Sequence, residues 1–180
     1  MSVSPLPNPA SPRYDAATRG LHWLTAALVL LLFALPQIWH RLPKASARPL
    51  EHLHIAVGVL LAAVLVLRIV WRLGWGRRLP PAAQGVSRHA AHAMHMTLYV
   101  LLAVQALTGF AKRWVRGRDV DVLGLFQIPP PVHLPETWRP LVGGIHYWTS
   151  WLIIALAVLH VAVALVHHYA WRDGLLRRMA

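Results

Sequence analysis

Of the chain's 180 residues, 57% are hydrophobic and only 13% are charged; with a positive mean hydropathy, that excludes an ordinary soluble globule. Cysteine is absent, which removes disulfides, thiolate-bound zinc, iron–sulfur clusters and thioether-linked haem, and leaves the 12 histidines to carry any metal centre. The formal charge of +12 sits in short Lys/Arg groups between apolar runs, which suits anionic headgroups and not nucleic acid.

In chain order, residues 1–12 are rich in Pro, Ser and Asn with nothing to bury, and read as a disordered tail before a single unit over 13–180. The first apolar run continues for a full span after a polar start, unlike a cleavable signal peptide. Crossing about 30 Å of hydrocarbon takes about 20 apolar residues in a helix, and four stretches qualify: 21–39, 53–73, 93–111 and 147–171. The third carries His95, Thr97, Gln105 and Thr108 and the fourth His160, His167 and His168, so both must turn a polar face away from lipid. The 74–91 connection is basic, and 112–144, with Lys112, Arg113, Arg116, Arg118 and the Pro129–Pro131 run, reads as an external loop capping the bundle. The predicted fold is all-α: an integral membrane, up-down-up-down four-helix bundle. Ten of the 18 Lys and Arg fall on the side of the two termini and the 74–91 loop, which predicts cytoplasmic termini by a small margin.

Four histidines form a constellation. With the termini inside, His22 lies near the inner end of helix 1, His54 and His146 near the outer ends of helices 2 and 4, and His160 deeper in helix 4. Fourteen residues separate His146 from His160, which puts them roughly 21 Å apart along the axis and about 40° apart around it. They share a face at two depths, and each has one depth-matched partner: His22 with His160, His54 with His146. Two such pairs suit the axial positions of two bis-histidine haems b, which need no cysteine. Each histidine taken singly also has an ordinary reading as a hydrogen-bonded interface residue. Gly58, one turn after His54, and Gly109 let either a flat macrocycle or a neighbouring helix approach the backbone. Arg68 is placed to pair with a haem propionate or to snorkel, as Arg72 does. His92 and His95, with His167 and His168 on the same inner side, form either a quinone pocket with a proton path, a metal site, or an interface cap. His40, His89 and His133 fall in connections or at span ends and read as solvated.

The order Arg13-Tyr14, Leu21-His22-Trp23-Leu24, His54-xxx-Gly58, Arg68 with Arg72, His92-xx-His95, Leu159-His160 and His167-His168-Tyr169 with Trp171-Arg172-Asp173 resembles the bacterial cytochrome b561 family, related to the cytochrome b subunit of nickel–iron hydrogenases. The resemblance implies two haems b held by His22, His54, His146 and His160, residence in the bacterial inner membrane, and ubiquinone as acceptor. It further implies superoxide or a small redox protein as external donor. For an anionic donor, Lys112, Arg113, Arg116 and Arg118 form a steering mouth. The sequence departs from the family at His146-Tyr147-Trp148-Thr149, where a histidine–acid step is usual, and in its proline run. Two rival functions are carried forward: a membrane anchor and electron-relay subunit for a dehydrogenase or hydrogenase, and a histidine-lined metal transporter.

Overall fold

The computed structural model describes residues 13–80 and 85–179, and the expected tail of residues 1–12 lies outside them. Four long helices, α1 (Ala16–Trp39), α2 (Lys44–Gly74), α3 (Gly85–Trp114) and α4 (Arg139–Val166), make up the chain, with α4 running on through a π-helical turn, His167–Trp171. All four are long and apolar enough to cross a membrane, and the chain is a multi-pass membrane protein. Leu30, Val66, Leu107 and Val158, one from each helix, are 61%, 61%, 67% and 65% exposed. Leucine and valine at mid-span with that much open surface need hydrocarbon as their solvent.

Each helix extends beyond its apolar run. Helix α1 begins at Ala16 because Asp15 caps it: its carboxylate accepts from the Thr18 amide at 2.8 Å and the Thr18 hydroxyl at 2.7 Å. The same carboxylate accepts from Trp71 Nε1 and from the Arg77 amide, both at 3.0 Å, so it ties the start of α1 to the end of α2. Partial desolvation works against the charged form here, yet the hydrogen bonds from Thr18, Arg77 and Trp71 prevail and hold the Asp15 carboxyl well below the usual range. The C-terminal residues close the same end: the Tyr14 amide donates to the Arg178 carbonyl at 3.0 Å, Trp23 Nε1 to the Met179 carbonyl at 2.9 Å, and Arg178 to the Pro80 carbonyl at 2.8 Å.

The opposite end carries a feature that the turn-forming composition of 112–144 did not announce. A short antiparallel hairpin, β1 (Val120–Val122) with β2 (Phe126–Ile128), packs β1 against α2. Leu123 and Gly124 at its tip both have positive φ, 53° and 73°, as a tight hairpin turn requires; glycine accepts this freely, whereas leucine is strained there. Val115, Val120 and Val122 are buried beneath it, and His52 of α2 lies 3.7 Å from Asp121. Helix α4 starts at Arg139, eight residues before its apolar run, with Pro140 in its first turn where no amide donor is needed.

The helices pack as two hairpins, α1 along α2 and α3 along α4, while the backbones of α1 and α4 scarcely approach one another. The apolar core, Leu28, Val57, Leu61, Val64, Leu65, Leu102 and Ile153, sits at mid-depth. Towards each end of the bundle, histidines of the two hairpins face one another.

Candidate functional site

At the end bearing the chain termini, His22 of α1 faces His160 of α4 with ring centres 6.3 Å apart and planes at 67°. At the loop end, His54 of α2 faces His146 of α4 at 6.4 Å and 72°. All four rings are half-buried between the helices.

The spacing bears on what could sit between the rings. Two imidazoles on opposite sides of one metal, each bonded at about 2 Å with its ring centre roughly 1.1 Å behind the nitrogen, have centres about 6.3 Å apart. Two imidazoles joined by a direct hydrogen bond of about 2.9 Å bring their centres to roughly 5.1 Å. Both cross-hairpin pairs match the first value. His95 of α3 also reaches His160, but at 5.4 Å, which fits direct contact and leaves no room for a metal between them.

The surroundings of each pair accommodate a flat, partly charged group. A Cβ added to Gly58 would meet nothing within 4 Å, whereas one on Gly109 would touch His146 Cε1 at 3.5 Å; the first glycine borders open space and the second lets α3 approach the His146 ring. The His54 ring lies beside the Leu32 carbonyl, and its Nδ1 is buried without a partner in hydrogen-bonding geometry. Trp39 packs edge-on against His54 at 5.2 Å. Arg68 Nη2 lies 3.0 Å from His22 Nδ1 and its guanidinium stacks over Tyr99 at 5.1 Å. It points into the bundle and does not snorkel. Arg72 instead covers Tyr14.

Around His146 stands a polar set whose members were visible in the sequence only as residues diluting the third helix. Thr108 Oγ1 is 3.1 Å from His146 Nδ1 and Gln105 Nε2 is 3.3 Å from His146 Nε2. The Thr149 hydroxyl bonds the Gln105 side-chain oxygen. Gln105 and Thr108 are three residues apart, hence on one helix face, and that period is the signal that could have linked them.

His92, His95, His167 and His168 do not converge. His95 turns to His160, while His92 is exposed one turn earlier. His167 Nδ1 is 2.5 Å from Asp173 Oδ2 and its ring packs against Trp171 at 4.3 Å. His168 lines a shallow cavity of about 280 Å³ with Tyr169, Arg172 and Arg177. Among the described residues no three His, Asp or Glu side chains are grouped to hold a metal ion. His40 and His133 are exposed. At the loop end, Lys112 is half-buried and close enough to act electrostatically on both His54 and His146. Arg113 and Arg116 are partly spent on the backbone carbonyls of Asp119 and Lys112.

The family model described as prokaryotic cytochrome b561 matches residues 13–180, all but the N-terminal segment. The chain belongs to the prokaryotic cytochrome b561 family. Membership makes it a haem b-binding membrane cytochrome that transfers electrons. Among curated relatives, "Cytochrome b561 homolog 2" of Escherichia coli is 31% identical over 179 residues, covering 93% of this chain and 90% of that protein. "Cytochrome b561 homolog 1" of the same organism is 26% identical over 170 residues, 93% and 96% covered. "Probable superoxide oxidase CybB" of Yersinia pestis is 23% identical over 168 residues, 93% and 95% covered. The matches run nearly end to end in both partners.

Proposed function

We propose that this chain is a di-haem b cytochrome of the bacterial inner membrane that carries electrons between an external donor and the ubiquinone pool, with both termini cytoplasmic. The observation that carries this reading is the pair of equal histidine separations, 6.3 and 6.4 Å, at two depths of one bundle. Haem held by such pairs would supply reversible one-electron transfer, and a histidine on each side would favour electron transfer over oxygen binding.

The residues divide the work. His54 and His146 would hold the outer group, with Gly58 leaving room beside it, and His22 and His160 would hold the inner one. Arg68, now 3.0 Å from His22 Nδ1, would find in a propionate a better acceptor for its guanidinium. At the outer end Trp39 lines a cavity of about 430 Å³ together with His40, Lys44, Arg48 and Glu51, and touches His54 from the other side. Lys44 and Arg48 outnumber Glu51 in that lining, so an anionic donor is favoured there. Superoxide fits that chemistry, and a relative carries superoxide oxidase in its name. At the inner end His95 adjoins His160 and is the histidine best placed to pass on the protons that quinone reduction consumes. The π-turn that carries His167 and His168 is an irregularity found often at functional sites.

A second reading, an electron-relay anchor for a dehydrogenase or hydrogenase, is favoured by the hairpin tip, where Leu123, Leu125 and Phe126 are 54%, 80% and 52% exposed beyond the spans. Stopped-flow mixing of purified protein with superoxide and a soluble ubiquinone analogue separates the two. Haem reduction followed by quinol formation is expected; an inert protein that co-purifies with a soluble dehydrogenase would replace the first reading with the second.

A further inference from the structure

We propose that Thr108 is the positioning residue of the outer haem site: it accepts the Nδ1–H of His146, fixes the ring with Nε2 free to bind iron, and thereby lowers that haem's reduction potential. This rests on the reading of His146 as an axial ligand. The Thr108 hydroxyl lies 2.8 Å from the Val104 carbonyl and 3.1 Å from the Gln105 carbonyl. Two backbone acceptors compete for its single proton, so the oxygen's lone pairs are what it offers to His146 Nδ1 at 3.1 Å. A donor at Nδ1 leaves Nε2 as the lone-pair nitrogen.

Gln105 Nε2 lies 3.3 Å from His146 Nε2, on the side that iron would take, and would have to swing aside for it, whereas Thr108 would keep its place at Nδ1. Gly109 completes the seat, since a Cβ there would lie 3.5 Å from His146 Cε1. One helix face thus supplies an acceptor for Nδ1 and a contact for the ring edge.

Outer partners of this kind orient a ligating histidine and raise its basicity. A more basic imidazole favours ferric iron, so the outer site is held at lower potential than an unsupported one.

The test is a potentiometric titration of the purified holoprotein, with haem stoichiometry and the ferric low-spin EPR signal as companions. Thr108→Val is expected to keep both haems and to shift one midpoint upward by about a tenfold change in the reduced-to-oxidised ratio, roughly 59 mV for one electron, while Thr108→Ser stays like wild type. Should Val disturb folding, Thr108→Ala carries the same expectation. Unchanged midpoints and EPR signal in a folded Val or Ala variant would overturn the role given to Thr108. Two full equivalents of low-spin haem in His146→Ala would instead overturn the ligand assignment beneath it.

Discussion

Replacing Asp15 should loosen the fold and the inner histidine pair together. Its carboxylate caps α1, worth about 0.5–2 kcal/mol, and takes two further bonds from Trp71 and the Arg77 amide, each worth about 0.5–1.5 kcal/mol net. Because the site is half-buried and water can replace part of what is lost, Asp15→Ala is expected to cost about 2–3 kcal/mol, and for a chain of this size roughly 5–10 °C in thermal midpoint. Asp15→Asn keeps the cap and one acceptor oxygen and should cost about 1 kcal/mol. His22 lies two turns into α1, so the inner pair should lose haem before the outer as temperature rises. The pH dependence has a definite sign. A carboxyl held below its unfolded value of about 3.9 contributes stability that is fully present above that pH and is lost as pH falls through the folded value. Wild type should therefore weaken below about pH 4, and Asp15→Asn should show a flatter acid limb. Thermal scans of detergent-purified protein, followed by circular dichroism and by Soret absorbance, measure both. An Asp15→Ala variant within about 0.5 kcal/mol of wild type would refute the view that this carboxylate joins the two helices.

Other outcomes follow from single residues. Gly58→Leu should fold, since a Cβ there meets nothing within 4 Å, but should displace the outer group, leaving about one haem per chain by pyridine haemochrome; full haem content would show that the space is not used. Lys112→Gln should slow haem reduction by an anionic donor several-fold at low salt and less at high salt, as stopped-flow rates at two ionic strengths would show. Desolvation opposes ionisation of Asp173, yet its bonds from His167 and the Leu175 amide hold its carboxyl below the ordinary range. Asp173→Asn should therefore free the π-turn and change quinone-linked turnover more than haem content, as paired turnover and haem assays would show.

Much of the architecture was legible because bilayer thickness imposes itself on sequence: four apolar runs of the right length gave four spanning helices, and the period of α4 put His146 and His160 on one face. Helix ends were less legible. Asp15 and the polar start of α2 carry no apolar signal that distinguishes a helix outside hydrocarbon from a loop, so α1, α2, α3 and α4 all begin earlier than their runs. The hairpin at Val120–Ile128 was hidden because three-residue strands leave too short an alternation to read. Within the site, the four paired histidines were found from depth, but Gln105, Thr108 and Thr149 were not, since a hydrogen-bonding role depends on which neighbour faces which ring nitrogen. The grouping of His92, His95, His167 and His168 did not foresee their separate partners, a matter of side-chain direction that spacing does not encode.

The two equal histidine separations make the central claim directly measurable. A dithionite-reduced minus oxidised spectrum of the purified protein, quantified by pyridine haemochrome for wild type, His160→Ala and His54→Ala, should give two low-spin haems b per chain in the first and about one in each variant. A wild-type protein with one haem or none, or a variant that keeps both, would contradict the account.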